Sequence, residues 1–418
     1  MNLRRCFPSI VSVMFVATFH VASCSADEPL FEITDVFPAR ESGYHHVRIP
    51  GIVVTNSGTL LAFGDARHAD QGGGDWADID LVLRRSTDGA KSWAPIQILE
   101  DGMQYVDQSR NLAARRKPGQ EKFVTCNNPV MIVDRKDDVT HLLYCVEYDR
   151  CFYRRSTDDG ESFGKPVEIT TVFDSFRPKY DWKVLATGPG HGIELANGRL
   201  VVPVWLSTGE GGGGHRPSCV STIYSDDRGQ TWNAGEIAVN HPDLINPSET
   251  VAVQLMDGRV MLNIRSENDE HRRAISYSAD GATGWTKPKF DEQLYEPVCM
   301  ASLLRVSKKT DSDKNRLLFC NPLSSEPRDS RPTNSFRRRK NLTARLSYDE
   351  GETWAVSKAI DIGDAGYSDL AIGPDGTIYC LYERGGDRTA FDEGSLACAR
   401  FNVGWLTEGK DAFTPDNH

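Results

Sequence analysis

A short motif recurs five times along the 418-residue sequence and restricts the fold more than any other feature. The copies follow the pattern Ser-x-Asp-x-Gly-x-Thr-Trp, and each comes after an apolar, strand-like run. The Asp carboxylate can accept backbone N–H bonds within a turn, glycine permits a positive φ, and the aromatic ring anchors the turn between neighbouring strands. These Asp boxes, numbered 1 to 5, occupy residues 86–93, 156–163, 225–232, 278–285 and 347–354. Boxes 1 and 4 are degenerate, because Ala90 and Ala282 stand where glycine is expected.

The spacing of the Asp boxes predicts a β-propeller. Their first serines lie 70, 69, 53 and 69 residues apart, which is enough for about four short strands and their loops. Strand pairs between the boxes are separated by the hairpin turns Asn197-Gly198, Asp257-Gly258 and Asp375-Gly376. We therefore predict an all-β fold, a six-bladed β-propeller with Asp-box turns over about residues 30–415. Propellers host many functions, so the function has to be sought in residues outside the repeat.

The formal net charge of −11 argues against two classes of partner. Nucleic acids and anionic membranes bind positive surfaces, so we predict neither as a partner. No apolar run beyond the leader has the length that predicts a membrane span. If the ligand is an anion, local arginines must outweigh the negative field of the whole chain.

The start of the chain predicts an export signal. Two arginines precede an apolar run over 8–21, and small residues follow up to Ala26, which is the arrangement of a signal peptide. We expect residues 1–26 to be removed and residues 27–418 to form a single propeller domain, secreted or periplasmic. The alternative is a bacterial lipobox, which would leave a lipid anchor on Cys24.

The remaining cysteines and the histidines give no metal-binding pattern. Eight cysteines lie beyond the leader without a Cys-x-x-Cys pair, and the ten histidines show no His-x-x-x-His spacing. We therefore predict no metal and no other cofactor. Export would permit disulfides, and the alternative is that several of these cysteines are buried thiols.

Further motifs between the Asp boxes resemble those of the bacterial and animal exo-sialidases, which are retaining glycoside hydrolases. They are Arg-Ile-Pro at 48–50, a segment ending in Asp-Ala-Arg at 60–67, Asn-Pro-Ser-Glu at 246–249, Leu-Asn-Ile-Arg-Ser at 262–266, Arg-Lys-Asn-Leu-Thr at 339–343, Tyr-Ser-Asp-Leu at 367–370 and Leu-Tyr-Glu-Arg-Gly at 381–385. The matches follow the order of the family over nearly the whole mature chain. The resemblance implies a six-bladed propeller that removes terminal sialic acid from glycoproteins, glycolipids or oligosaccharides.

The resemblance assigns three arginines to the carboxylate of sialic acid: Arg48, Arg265 and Arg339. A guanidinium suits this role because it donates two parallel bonds to a planar carboxylate. The alternative for each is a surface salt bridge. Arg48 and Arg265 lie in apolar strand-like runs, where an unpaired charge would be costly. Arg339 lies in a basic run that could be a solvated loop, but its spacing of three residues to Leu342 favours it over Arg338.

The resemblance also implies that Tyr367 is the nucleophile, the family's known exception to the use of two carboxylates. Sialic acid carries a carboxylate on its anomeric carbon, so an Asp or Glu nucleophile would approach against like charge, whereas a phenol approaches neutral. Because a free phenol has a pKa of about 10, it needs a base, and Glu249 matches that partner. Glu383 matches a glutamate that orients the first arginine. The alternatives are a packing role for Tyr367, a strand-edge charge for Glu249 and an ion pair between Glu383 and Arg384.

The acid/base candidate lies in a glycine-rich segment. Three glycines precede Asp75 and Trp76, and Asp75 matches the catalytic aspartate of the family. Asp70 and Asp78 are the alternatives, while we expect Asp80 to be a structural or outward-facing strand residue. A proton donor needs a pKa raised by shielding from water, which closure of the segment next to Trp76 would provide.

Two weaker matches complete the predicted site. Arg67 matches a fourth arginine that in the family contacts substituents of the sugar, and the alternative is a salt bridge with Asp65. The glycine-rich segment at 187–192 resembles a loop near the pocket of the family, and the alternative is a plain turn.

The sequence thus predicts a secreted, monomeric, retaining exo-α-sialidase acting on sialylated glycans. An alternative from a different class is a glycan-binding propeller without catalysis, but an acid, a base, a nucleophile and the arginines are all present in the sequence. A further alternative keeps the chemistry and changes the acceptor or the sugar: a trans-sialidase, or a hydrolase of a related nonulosonic acid.

Overall fold

The computed structural model describes residues 28–68, 74–108, 123–327, 336–385 and 394–415. The predicted leader, with Cys24, lies outside this range, and so does Asp70. The described residues form 26 β-strands and two α-helices of one turn, Thr171–Asp174 (α1) and Val403–Leu406 (α2). The predicted all-β class is therefore confirmed. Within this range, no helix combines the length and the apolar character needed to cross a bilayer.

The strands are numbered in chain order. The first thirteen are β1 (Phe31–Phe37), β2 (Tyr44–Val54), β3 (Leu60–His68), β4 (Ile79–Ser86), β5 (Gln97–Glu100), β6 (Cys126–Asp134), β7 (Val139–Val146), β8 (Arg150–Ser156), β9 (Val167–Glu168), β10 (Val184–Thr187), β11 (Gly190–His191), β12 (Ile193–Glu194) and β13 (Leu200–Gly211). The others are β14 (Arg216–Ser225), β15 (Asn233–Ala234), β16 (Val239–Asn240), β17 (Thr250–Gln254), β18 (Val260–Ile264), β19 (Arg272–Ser278), β20 (Lys289–Tyr295), β21 (Ser302–Ser307), β22 (Arg316–Pro322), β23 (Lys340–Ser347), β24 (Val356–Ile372), β25 (Ile378–Arg384) and β26 (Ser395–Phe401).

Hydrogen bonds join these described strands into five sheets. Two are plain four-stranded meanders, β2-β3-β4-β5 and β17-β18-β19-β20. A third has the order β11-β6-β7-β8-β9, and a fourth has β10-β13-β14-β15 with β12 beside β13 and β16 beside β14. The fifth runs β1-β26-β25-β24-β23-β22-β21. In it, the 17-residue strand β24 pairs with β23 through its first half and with β25 through its second half.

The Asp boxes form the turns that the sequence predicts. Strands β4, β8, β14, β19 and β23 each end at the first serine of a box. In box 3, the Asp227 carboxylate accepts the Thr231 backbone N–H at 2.8 Å and the Thr231 hydroxyl at 2.6 Å, while the Ser225 hydroxyl accepts the Gly229 N–H at 2.8 Å. Gly229 has φ +80°. The box aromatics pack inward, as at Trp232, which is 7% exposed.

The apolar core lies between neighbouring sheets. One cluster combines Leu61 and Leu83 of the first meander with Leu142 and Phe152 of the third sheet. All eight cysteines beyond the leader fall in the described part of the chain, and each is a buried free thiol. This arrangement favours buried thiols over disulfides.

One fully buried side chain connects the inner strands of three sheets. The Asp369 carboxylate, on β24, accepts the Ile52 N–H of β2 at 3.0 Å and the Ser302 hydroxyl of β21 at 3.1 Å. It also lies 2.7 Å from Nδ1 of His191 on β11. The glycine-rich segment at 187–192 is thus part of the central strands, and His191 joins it to the strand that carries Tyr367.

Candidate active site

A polar pocket of about 120 Å³ collects residues from all five sheets or from the loops at their strand ends. Six of the eight predicted site residues line it: Arg48, Asp75, Glu249, Arg265, Arg339 and Tyr367. Arg67 and Glu383 lie directly behind, bonded to Asp75 and to Arg48 respectively. Residues separated by more than 300 positions in the chain therefore meet in one cavity. A larger groove of about 660 Å³, near Lys314 and Lys358, contains none of them.

The hydroxyl of Tyr367 makes two side-chain hydrogen bonds in the pocket. It donates to Oε1 of Glu249 at 2.5 Å and accepts from Nη1 of Arg265 at 2.7 Å. Arg265 also donates to the other carboxylate oxygen of Glu249. Glu249 precedes β17 and Arg265 follows β18, so the antiparallel pairing of these strands brings them together. A carboxylate that can take the phenolic proton and a cation that stabilises the phenolate therefore both contact the nucleophile candidate.

Three guanidinium groups surround the ring of Tyr367. Their central carbons lie 5.6 Å (Arg48), 6.0 Å (Arg265) and 4.9 Å (Arg339) from the ring centroid. Within the basic run, Arg339 faces the pocket, whereas Arg338 pairs with Glu326 and Asp364. Of these two arginines, Arg339 is therefore the one that lines the pocket. Converging guanidinium groups of this kind can bind a planar carboxylate, and they make the pocket positive within an acidic chain.

The buried carboxylate of Glu383 holds the first arginine and the nucleophile strand together. It contacts Arg48 at 3.0 and 3.2 Å and accepts the backbone N–H groups of Ile49 at 3.3 Å and Tyr367 at 3.2 Å. Burial would raise the pKa of Glu383, but Arg48 and Arg339 lower it below its ordinary value. Arg384, the alternative partner, instead pairs with Asp35 and Asp361.

Asp75 is ionised more readily than a proton donor should be. Its Oδ1 lies 3.0 Å from Nη2 of Arg67 and 3.9 Å from Nη1 of Arg48, and its side chain is 47% exposed. Burial acts to raise the pKa of Asp75, but Arg67, His215 and Arg48 outweigh it and hold this pKa well below the usual range. The arginines thus act on the pKa of Asp75 in the direction opposite to the shielding that the sequence analysis expected, and the shielding itself stays a prediction.

Arg67 pairs with Asp75, whereas the alternative considered in the sequence analysis was a salt bridge with Asp65. Its guanidinium pairs with Asp75 rather than with Asp65, which lies two residues before it on β3. Asp65 is 1% exposed, and burial raises its pKa to about 8 although Arg67 and Arg48 act in the opposite direction.

The described aspartates after Asp75, Asp78 and Asp80, lie outside the pocket lining. Asp80 accepts the Tyr44 hydroxyl at 2.6 Å and is 5% exposed, so it is structural, and the expectation that it faces outward is wrong. Among the described residues, His68, Asp78 and Asp80 bring one ligand atom each within 4.8 Å of one another. These three side chains could together hold a metal ion. The absence of a metal therefore stays a prediction.

Sequence reasoning missed several residues of the pocket. These are Asn128, Tyr148, Trp205, His215, Arg216 and Phe336. Arg216 is held by Glu267 at 2.8 Å and lies over the ring of Phe336. The four consecutive glycines before His215 were a usable signal, because such a run marks a tight turn that can approach a ligand closely. Aromatic residues within apolar strands, such as Trp205, carry no comparable signal.

Comparisons with known proteins identify the family and the relatives of this chain. A family model described as a BNR repeat-like domain matches residues 58–380. A sialidase from Micromonospora viridifaciens is 29% identical over 401 residues, which cover 91% of this chain and 55% of that protein. A sialidase from Bacteroides fragilis is 30% identical over an alignment that covers 80% of this chain and 59% of that protein. The chain therefore spans little more than half the length of these two relatives.

A solved sialidase structure has a fold similar to that of this chain. The Hadza microbial sialidase Hz136 superimposes with a TM-score of 0.70 at 25% identity, over 90% of this chain and 69% of that one. The family match extends over most of the sequence and includes all five Asp boxes completely. The chain therefore belongs to the family of proteins with a BNR repeat-like domain.

Proposed function

We propose that this chain is a retaining exo-α-sialidase that uses Tyr367 as its nucleophile. The observation that carries the proposal is the hydrogen bond of 2.5 Å between the Tyr367 hydroxyl and Glu249, in a pocket that also holds three guanidinium groups. A structural tyrosine would need one polar partner at most. Here a base, a cation and an anion-binding cluster meet around the same phenol.

The proposal includes a six-bladed propeller as the fold. The seven-stranded sheet supports this view, because β24 is shared between β21–β24 and β24–β26 with β1. Dividing it there gives two sets of four strands beside the other four sheets, which is the number expected for six blades. We also propose that residues 27–418 form one catalytic domain, exported after removal of residues 1–26, with a lipid on Cys24 as the alternative.

In the first step, Asp75 protonates the glycosidic oxygen while Tyr367 attacks the anomeric carbon and transfers its proton to Glu249. The bond between the anomeric carbon and the leaving oxygen breaks, and a tyrosyl sialoside forms with inverted configuration. In the second step, Asp75 removes a proton from water, which attacks the same carbon, and the bond to Tyr367 breaks as its oxygen takes back the proton from Glu249. Two inversions give net retention. Arg48, Arg265 and Arg339 hold the substrate carboxylate in both steps.

The depressed pKa of Asp75 requires a change when the substrate binds. The arginines that lower this pKa include Arg48, which would then pair with the carboxylate of the sugar. Sharing that positive charge with a second anion weakens its effect on Asp75, and exclusion of water favours the neutral acid. Substrate binding itself would thus raise the pKa of Asp75 toward the range that a proton donor needs.

Sialylated glycoproteins, glycolipids and oligosaccharides are the proposed substrates. The relatives carry the name sialidase, and one solved neighbour is named as an intramolecular trans-sialidase. Transglycosylation, a related nonulosonic acid as substrate, or glycan binding without turnover are the competing functions. They differ in product, in sugar or in the absence of a covalent step.

The test uses an aryl sialoside, a 2,3-difluorinated sialic acid and the variant Tyr367→Phe. We expect turnover by the wild type and a covalent adduct on Tyr367 by peptide mass spectrometry. Tyr367→Phe should lower kcat by about 100-fold or more, since the nucleophilic route is lost. Tyr44→Phe is the matched control, because it removes another buried tyrosine–carboxylate bond, at 2.6 Å, outside the pocket. An adduct on any other residue would refute the assignment, and absence of turnover would favour a binding protein.

A further inference from the structure

The residue after Asp75 joins the acid-bearing segment to a hairpin of another sheet. The indole Nε1 of Trp76 donates to the backbone carbonyl of Gly213 at 2.8 Å. Gly213 lies in the single 3-10 turn Gly212–Gly214, between strands β13 and β14, and has φ +73°. The hairpin continues into His215 and Arg216, which line the pocket. A contact between two sheets is thus made one residue away from the proposed acid.

Aromatic packing fixes the indole from the sides. The ring of Trp76 lies 4.7 Å from that of Tyr148 and 5.8 Å from that of His215, measured between centroids. The imidazole of His215 in turn packs at 5.0 Å from Tyr148 and 5.2 Å from Trp205. Tyr148 and Trp205 are each 4% exposed, so Trp76 rests on side chains that are themselves held by the core.

Asp75 gains from such support because its own side chain is only partly covered. That side chain is 47% exposed, although the guanidinium groups that contact its carboxylate, those of Arg67 and Arg48, are themselves buried. Adjacent Cα atoms are about 3.8 Å apart. Fixing the side chain of Trp76 therefore restrains the backbone from which the carboxylate of Asp75 projects.

We propose that Trp76 is a positioning residue for Asp75: its indole hydrogen bond to the β13–β14 hairpin holds the acid where it can protonate the leaving oxygen. The inference rests on the proposed sialidase function. It assigns Trp76 an effect on the two proton transfers of Asp75, and of these only the departure of the leaving group, in the first step, contributes to kcat/KM. Binding of the substrate carboxylate and attack by Tyr367 depend on other residues.

This division gives the proposal a specific signature. A sugar alcohol is a poor leaving group and departs with a proton from the acid, whereas a phenolate departs largely without one. Loss of correct positioning of Asp75 must therefore slow sialyllactose more than an aryl sialoside. A loss of fold or of sugar binding would slow both substrates equally.

The experiment compares Trp76→Phe with the wild type on both substrates. We expect kcat/KM for sialyllactose to fall roughly tenfold and that for the aryl sialoside less than about twofold, since acid catalysis as a whole contributes 10²–10⁴-fold. Asp75→Asn gives the reference for complete loss of the acid. Trp354→Phe is the matched control, because it removes an indole bond to Asp291 (3.1 Å) outside the pocket and should change neither rate.

A second variant tests the acceptor side of the same bond. A methyl group added at Gly213 would make only an ordinary contact, 3.9 Å from Nε1 of Trp76, but alanine disfavours φ +73°, so Gly213→Ala should displace the hairpin tip. Gly213→Ala leaves the sequence around Asp75 unchanged, so it can replace Trp76→Phe in the test if that variant does not fold. Equal losses on both substrates, or no loss in either variant, overturn the inference while the enzyme remains a sialidase. A wild type that is inactive on both substrates instead overturns the proposed function, and the inference with it.

Discussion

At the scale of single residues, Glu383 determines more of the site than its charge indicates. One buried carboxylate receives the guanidinium of Arg48 and the N–H groups of Ile49 and Tyr367. The backbone of Ile49 has φ +56°, a conformation that a β-branched residue rarely adopts. The bond from Ile49 to Glu383 offsets that cost. Glu383 therefore fixes a cation and the nucleophile strand in one geometry.

Glu383→Gln should weaken the site without changing its volume. An amide offers one acceptor oxygen, and its NH₂ group would face donors of Arg48, so that at least one bond is lost. Bonds to charged groups contribute about 1.5–3 kcal/mol, so we expect kcat/KM on an aryl sialoside to fall about 10- to 100-fold. Glu350→Gln is the control, because Glu350 pairs with Arg305 at 2.7 Å outside the pocket. Equal losses in the two variants would mean that Glu383 acts only through stability.

The predictable part of the site follows from this chemistry. Arginines within apolar runs, such as Arg48 and Arg265, can be recognised in a sequence because burying a charge demands a partner. The state of Asp75 cannot, since its pKa depends on Arg67, Arg48 and His215, which only folding brings near it. The same holds for Arg216, whose partner Glu267 lies 51 residues away.

At the scale of the element, the Asp boxes show how a degenerate repeat keeps its shape. Ala90 of box 1 has φ +63°, close to the +75° to +87° of Gly160, Gly229 and Gly351 in boxes 2, 3 and 5. Its N–H bonds the Ser86 hydroxyl at 3.0 Å as in those boxes. Box 1 therefore keeps the turn and strains one alanine. Box 4 instead places Gly281 at φ +74° and leaves Ala282 in an ordinary conformation.

The two alanines should respond to glycine with opposite signs. Ala90→Gly relieves the left-handed strain and should raise the free energy of unfolding by about 0.5–1 kcal/mol, although it gives up a buried methyl group. Ala282→Gly relieves no backbone strain and should lower the free energy of unfolding by about 0.5–1 kcal/mol. Urea denaturation of both variants measures the difference. Equal effects of the two substitutions would show that backbone strain at Ala90 is negligible.

Elements were predictable where a local rule applies and unpredictable where two sheets meet. Gly198, Gly258 and Gly376 have φ between +82° and +89°, as the Asn-Gly and Asp-Gly turns require. The length of β24 has no such signal, because its change of partner between β23 and β25 depends on contacts across the sheet. The reach of the β13–β14 hairpin into the pocket is likewise set by neighbours rather than by its own pattern.

At the scale of the whole molecule, the bonds around Asp369 connect the centre of the fold to the site. Asp369 lies two residues after Tyr367 on β24, and its partners Ile52, His191 and Ser302 come from β2, β11 and β21. Arg48 and Ile49 precede Ile52 on β2. The relative position of these two strands therefore sets the distance between the first arginine and the nucleophile. His191 completes this set of bonds with a titratable side chain.

The stability of the protein should depend on pH through His191. Burial would lower the pKa of His191, but the Asp369 carboxylate raises it above the ordinary value of 6.5. A histidine whose pKa is raised by folding stabilises the native state below its unfolded pKa, and this contribution disappears as pH rises through the folded pKa. We expect the free energy of unfolding to decline as pH rises above about 6.5. Urea midpoints between about pH 6 and about pH 9 measure the decline.

His191→Asn isolates this effect, because the asparagine amide can still donate to Asp369 but cannot titrate. The variant should be less stable than the wild type at about pH 6, and its stability should change less with pH, so that the two curves approach each other on the alkaline side. His141 provides the control. It is buried and bonded to Tyr153, and burial lowers its pKa to about 4, so that replacing it shifts the whole curve without changing its slope in this range. Parallel curves for His191→Asn and the wild type would exclude a protonated histidine at the centre of the molecule.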